Sequence, residues 1–118
     1  MKYACLVYLD SATMARLTPA EGGKVNDASM DYDTALSRDG FMLMGQPLQP
    51  PETAVTIRIR NGKLSSTDGP FAETKEFLAG FFLLETKDLD EAVRLAAKSP
   101  LAPLGNIEIR PFMDREHS

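Results

Sequence analysis

Asp68, Glu73 and Lys75 are the side chains whose types and spacing could do chemistry. Two carboxylates and one ammonium fall within eight residues, enough for an acid and base pair. Opposite charges hold both groups ionised, and desolvation moves either pKa towards neutrality. They sit in Asp68-Gly69-Pro70-Phe71-Ala72-Glu73-Thr74-Lys75-Glu76. Gly69 frees the backbone, Pro70 fixes its own φ and keeps Gly69 out of helical angles, and Asp68 is placed to accept hydrogen bonds from the turn it opens. The same residues also suit an ordered surface turn closed by a structural ion pair. On residue types alone both readings stand.

The candidate ligand-binding residues are Tyr3, Tyr8, Arg58 and Phe71. The tyrosines offer phenols from an N-terminal strand, Arg58 a guanidinium from a hairpin, and Phe71 an aromatic ring beside the charged turn. Each has a plainer role as a core or interface aromatic or a solvated hairpin residue. The sole histidine is His117, near the end of a charged tail, so a mechanism needing histidine inside the fold is excluded. The sole cysteine, Cys5, lies in an apolar strand as a small hydrophobe. No metal-ligand spacing, phosphate-binding glycine loop or nucleophile elbow is present, and neither metal nor cofactor is expected.

These side chains must be held by one domain. The chain has 118 residues, 43% of them hydrophobic and 25% charged, ordinary for a soluble globular protein that needs no disulfide or metal to fold. Its formal net charge of −4 argues against nucleic acid as the ligand. No apolar run is long enough to span a membrane, and Met1-Lys2 leads directly into a strand pattern, so a cytoplasmic protein is expected.

Residues 2 to 9 are apolar on both alternating faces and predict a strand buried on both sides. A loop is expected from Asp10 to Leu17. Thr18-Pro19-Ala20-Glu21 reads as a capping box that starts a helix at Pro19, with Gly22 and Gly23 weakening its first turn. That helix carries Val25, Ala28, Ser29, Tyr32, Ala35 and Leu36 on one stripe, and Met30, Asn26 and Asp33 on an exposed flank. A second interior strand covers Phe41 to Gly45, and the proline-rich Gln46 to Pro51 is expected to be irregular. Thr53 to Arg60 alternates, and Asn61-Gly62 closes a hairpin with Ile59 opposite Leu64. Phe77 to Thr86 predicts the central strand, where Gly80 makes room for a neighbour. Asp88 and Glu91 cap a second helix that Ser99-Pro100 stops, and Ile107 to Phe112 forms a last strand confined by Pro111 to an edge or an end.

This order is a ferredoxin-like βαββαβ plan of the α+β class with an inserted β-hairpin. Two helices cover one sheet face, yet three strands are apolar on both. A homodimer in which two sheets enclose a cavity, a dimeric α/β barrel, resolves the conflict.

The signature Asp68-Gly69-Pro70-Phe71 with Glu73-Thr74-Lys75-Glu76, together with Gly45-Gln46-Pro47-Leu48, Gly80-Phe81-Phe82 and Ile107-Glu108-Ile109-Arg110-Pro111, resembles the DGPF branch of the YCII-related superfamily over nearly the whole chain. The resemblance implies the same dimeric barrel and a family whose activity is mostly unassigned. Enzyme-like relatives carry a histidine on the first helix and an Asp-Pro pair after the second. Here no histidine lies between Pro19 and Arg38, and the second-helix exit reads Ser99-Pro100, so their chemistry does not transfer. Gln46 also stands where a glutamate often follows the glycine.

Three functions follow as expectations. The first is a homodimer that binds a small organic molecule in the barrel, with or without cofactor-free lyase, isomerase or oxygenase chemistry. The second, from the resemblance alone, is a partner of an extracytoplasmic-function sigma factor. The third is a non-catalytic structural homodimer.

Overall fold

The computed structural model describes residues 1–114; His117 and its neighbours in the tail lie outside them. Lys2–Asp10 forms β1, Ser11–Ala15 α1, Pro19–Arg38 α2, Met42–Pro47 β2, Val55–Arg60 β3, Lys63–Asp68 β4, Glu76–Glu85 β5, Leu89–Ala96 α3 and Gly105–Pro111 β6, with 3-10 turns at Pro51–Thr53 and Ala102–Leu104. Four strands make one sheet in the order β2-β5-β1-β6, and β3-β4 is a separate two-stranded sheet. Every pairing is antiparallel.

Alternation sends Tyr3, Cys5, Val7 and Leu9 to one side of β1, where they are buried with Phe82, Leu84 and Met42 against Leu36 of α2 and Ala92 and Ala96 of α3. Cys5 is fully buried, and desolvation pushes its thiol pKa up to about 12, so it stays an inert apolar filler. The other side of β1 and β5 carries Ala4, Leu6, Tyr8, Phe81 and Leu83, half-buried by their own neighbours. The helices α2 and α3 leave it open.

Local chemistry explains most element boundaries. Thr18 Oγ1 accepts from Glu21 N at 3.1 Å and Glu21 Oε1 from Thr18 N at 2.9 Å, so the capping box starts α2 at Pro19 as expected. The backbone N–H of Thr18 draws the Glu21 pKa down, and the Thr18 side chain adds to it. Asn61 (φ 55°) and Gly62 (φ 75°) form the left-handed pair of a tight hairpin turn, and Ile59 faces Leu64. Gly80 does make room: a Cβ there would lie 2.8 Å from Gln46 O.

Five expectations need correction. The second interior strand expected over Phe41 to Gly45 is the edge strand β2, which starts at Met42 and pairs with β5 on one side. Asp10 to Leu17 is not a loop, because Asp10 Oδ1 accepts from Ala12 N at 2.8 Å and caps the short α1. Gln46 and Pro47 are not irregular: they continue β2 opposite Phe81 and Gly80, which Pro47 tolerates at the end of an edge strand. α3 stops at Ala96, before Ser99-Pro100. Asp33 is not on an exposed flank but half-buried against the sheet.

The hairpin projects from the body. Its Val55, Ile57, Ile59 and Leu64 are 60%, 63%, 61% and 67% exposed. The chain has a radius of gyration of 16.4 Å and extents of 49 × 47 × 19 Å, whereas a compact domain of this length has a radius near 14 Å, roughly. Its accessible surface is 8551 Å²; a folded monomer of this mass has roughly 6,300 Å².

Candidate functional site

The signature turn closes one end of an open cleft of about 810 Å³ on the helix-free side of the sheet, lined by Tyr8, Thr56, Phe71, Glu73, Glu76 and Leu78 among others. The hairpin base fixes the turn: Gly69 N donates to Ala54 O at 2.7 Å, and Thr56 Oγ1 to Gly69 O at 2.8 Å. Gly69 takes φ 99°, a conformation that suits glycine. Thr74 Oγ1 donates to the carbonyl of Glu76, whose carboxylate accepts from Asn106 Nδ2 at 2.6 Å. Ser11 N donates to Lys75 O at 3.0 Å, tying the far end of the turn to α1.

The sequence candidates are thus partly gathered. Tyr8, Phe71 and Glu73 line the cleft together, and Phe71 is 80% exposed. Asp68 ends β4 opposite Val55, exposed and outside the cleft wall, as is Lys75. Neither Asp68 nor Glu73 comes within 4.0 Å of Lys75; the ion pairs among the described residues are the Met1 amine with Glu85 and Arg38 with Asp39. The bonds that hold the turn come from Gly69 and Thr56 rather than from an Asp68 cap. Arg58 lies on the hairpin face opposite the apolar stripe, exposed beside Ser65. Tyr3 is 1% exposed in the core, with its hydroxyl 3.6 Å from Met1 Sδ, and reaches neither cavity.

A second cavity of about 330 Å³ lies between α2 and the sheet, marked by no motif in the sequence. Its walls are mostly apolar: Val7, Leu9, Val25 and Phe82 contribute, and Ser29, Tyr32, Asp33 and Ser99 supply polar atoms. Tyr32 donates its hydroxyl to Leu95 O at 2.6 Å and meets Phe82 edge-on at 6.0 Å between centroids. Desolvation pushes its pKa up, with smaller contributions from Cys5 and Asp33. Ser99 Oγ accepts from Leu101 N at 3.2 Å. Ser29 Oγ is buried and has no hydrogen-bond partner among the described residues. Desolvation also raises the Asp33 pKa. The signal for Asp33 was its spacing: it follows Ser29 by four residues and precedes Leu36 by three, inside the buried stripe.

A bulge in β5 separates the two sites. Val7 pairs with Gly80 and Tyr8 with Leu78, so Ala79 is extra. Leu78 then faces the cleft while Ala79 lines the inner cavity.

The YCII-related domain model matches residues 1–115. The chain belongs to the YCII-related family. An uncharacterised protein of Rhizobium meliloti (strain 1021) is 34% identical over 114 residues, covering 95% of this chain and 92% of that protein. Among solved structures, the 5-chloro-2-hydroxyhydroquinone dehydrochlorinase TftG of Burkholderia phenoliruptrix AC1100, in complex with 2,5-dihydroxybenzoquinone, aligns over 99% of this chain and 98% of its own with a TM-score of 0.56 and 15% identity. The YCII-related chain therefore shares the mixed α/β fold of TftG, with antiparallel sheets and three helices. Among the described residues, no helix is long and apolar enough to cross a membrane.

Proposed function

We propose that this YCII-related protein is a cytoplasmic homodimer of the DGPF branch that binds a small organic molecule in the cleft beneath the signature turn. One observation carries the reading: the uncovered apolar side of the sheet, with Leu6, Phe81 and Leu83, runs through Tyr8 and Leu78 into that cleft. The strand order β2-β5-β1-β6 suits a ferredoxin-like sheet, and two such sheets placed face to face would enclose both clefts in a barrel. The surplus of accessible surface over a compact monomer is of the size that a stable dimer buries. Phe71 and Tyr8 grip the body of the ligand, Glu73 exchanges a proton with it without a cofactor, and Asp68 and Lys75 set the charge of the rim. Arg58 reaches the ligand or the second copy. The complex of TftG with a compact quinone supports a ligand of similar size by analogy of fold. The sigma-factor reading rests on the resemblance alone.

Thermal-shift screening of small organic acids, ketones and hydroxyarenes tests this. A ligand that raises the Tm of the wild type but not of Phe71→Ala or Glu73→Gln supports the cleft. Ligands that act equally on all three proteins overturn it.

A further inference from the structure

The inner cavity beneath α2 is separate from the signature-turn cleft, and its polar content is unusual. Removing a carboxylate from water is costly unless it is paired and hydrogen-bonded. Among the described residues Asp33 has no lysine, arginine or histidine within 4.0 Å. Ser29 Oγ, one helical turn earlier, is shut off from solvent with no hydrogen-bond partner among the described residues. The spacing of four residues places both side chains on one face of α2. A Cβ built on Gly45 would sit 3.5 Å from Asp33 Oδ2, so the carboxylate lies directly over the one residue of β2 that has no side chain to cover it.

Gly22 of α2 also lines the cavity, and a Cβ added there would meet nothing within 4 Å. The remaining wall is apolar and aromatic, with Phe82 and the ring of Tyr32. At about 330 Å³ the space matches the small end of ligand sites.

We infer that the inner cavity binds a compact organic cation, a primary ammonium on a ring or short apolar body, with Asp33 as its counter-ion and Ser29 Oγ as a second acceptor. An ammonium has three N–H donors and no acceptor, so it matches a carboxylate without a cation and an unsatisfied hydroxyl oxygen on one helix face, and the aromatic wall favours a cation over an anion. This site is independent of the cleft reading.

Benzylamine is the probe, with benzoate and toluene as controls, followed by ¹H–¹⁵N NMR on the full chain. Benzylamine should shift the amides of Ser29, Asp33 and Gly45 in a saturable way while benzoate does not. Asp33→Asn should weaken it at least tenfold, or about 1.4 kcal/mol, and abolish the preference over toluene. Ser29→Ala should weaken it less. Glu73→Gln should leave it unchanged, which separates this site from the cleft. The inference is overturned if benzylamine produces no saturable shift, if benzoate binds equally well, if the shifts map to the signature turn, or if Asp33→Asn binds like the wild type.

Discussion

Leu83→Lys is the sharpest probe of how the open sheet face is used. Leu83 lies opposite Ala4 and Met44 on the side that the helices leave uncovered, and is half-buried by these neighbours alone. In an isolated chain a lysine there extends into water and costs little. In a face-to-face dimer each copy loses the burial of the still-exposed half of a leucine, about 0.8–1.5 kcal/mol. Two-fold symmetry doubles that to about 1.5–3 kcal/mol, or about one to two decades in Kd, before the cost of two like charges is added. Sedimentation velocity across a concentration series reads the dissociation constant, and circular dichroism reads the fold. The expected result is a wild-type dimer and a folded, monomeric Leu83→Lys. A variant that keeps the wild-type dimer constant would refute the assignment of this face to the dimer.

Three further outcomes follow from the packing. Gly105→Ala should destabilise the protein by about 1–3 kcal/mol or more, because the new Cβ would fall 2.9 Å from Leu9 Cα and closer still to the carbonyl of Tyr8; urea denaturation checks it, and an unchanged midpoint would contradict the β1-β6 register. Gly23→Ala, on an exposed helix position with open space around it, should gain about 1 kcal/mol, or about 4 °C in Tm. Asp33→Asn should raise stability at neutral pH. The Asp33 pKa is raised by folding, so the folded state holds this proton more tightly than the unfolded one, and stability falls as pH rises from the unfolded pKa through the folded one. The advantage of the asparagine variant should therefore vanish below about pH 4 and level off above the folded pKa, as chemical denaturation at several pH values would show.

Local signals carried much of this architecture. The Thr18 capping box, the Asn61-Gly62 turn, the Asp88 cap and the edge-strand proline Pro111 are each written in a few adjacent residues, and each is realised. The reading of β1 as buried on both sides holds for one: Tyr3, Cys5, Val7 and Leu9 are buried, while Ala4, Leu6 and Tyr8 are half-buried on the uncovered side. What local pattern did not reveal depends on distant contacts. Asp10 looked like the start of a loop because the helix it caps is only five residues long. Gln46 and Pro47 stay in β2 because Gly80 of β5 admits their backbone. The stripe on α2 was legible from Val25 to Leu36, but Ala28 is exposed and Asp33 is half-buried, a rotation of the helix that only its seat on the sheet decides. At the signature turn the sequence identified the segment, and the structure brings Tyr8, Phe71 and Glu73 to one cleft while leaving Asp68 and Lys75 outside its wall.

Native mass spectrometry of gently purified wild-type protein, with and without a metabolite extract, tests the central claim most directly. The account predicts a dimer that takes up a small organic molecule from the extract and loses that uptake in Glu73→Gln. A monomer, or a dimer that stays empty in the extract, would contradict it.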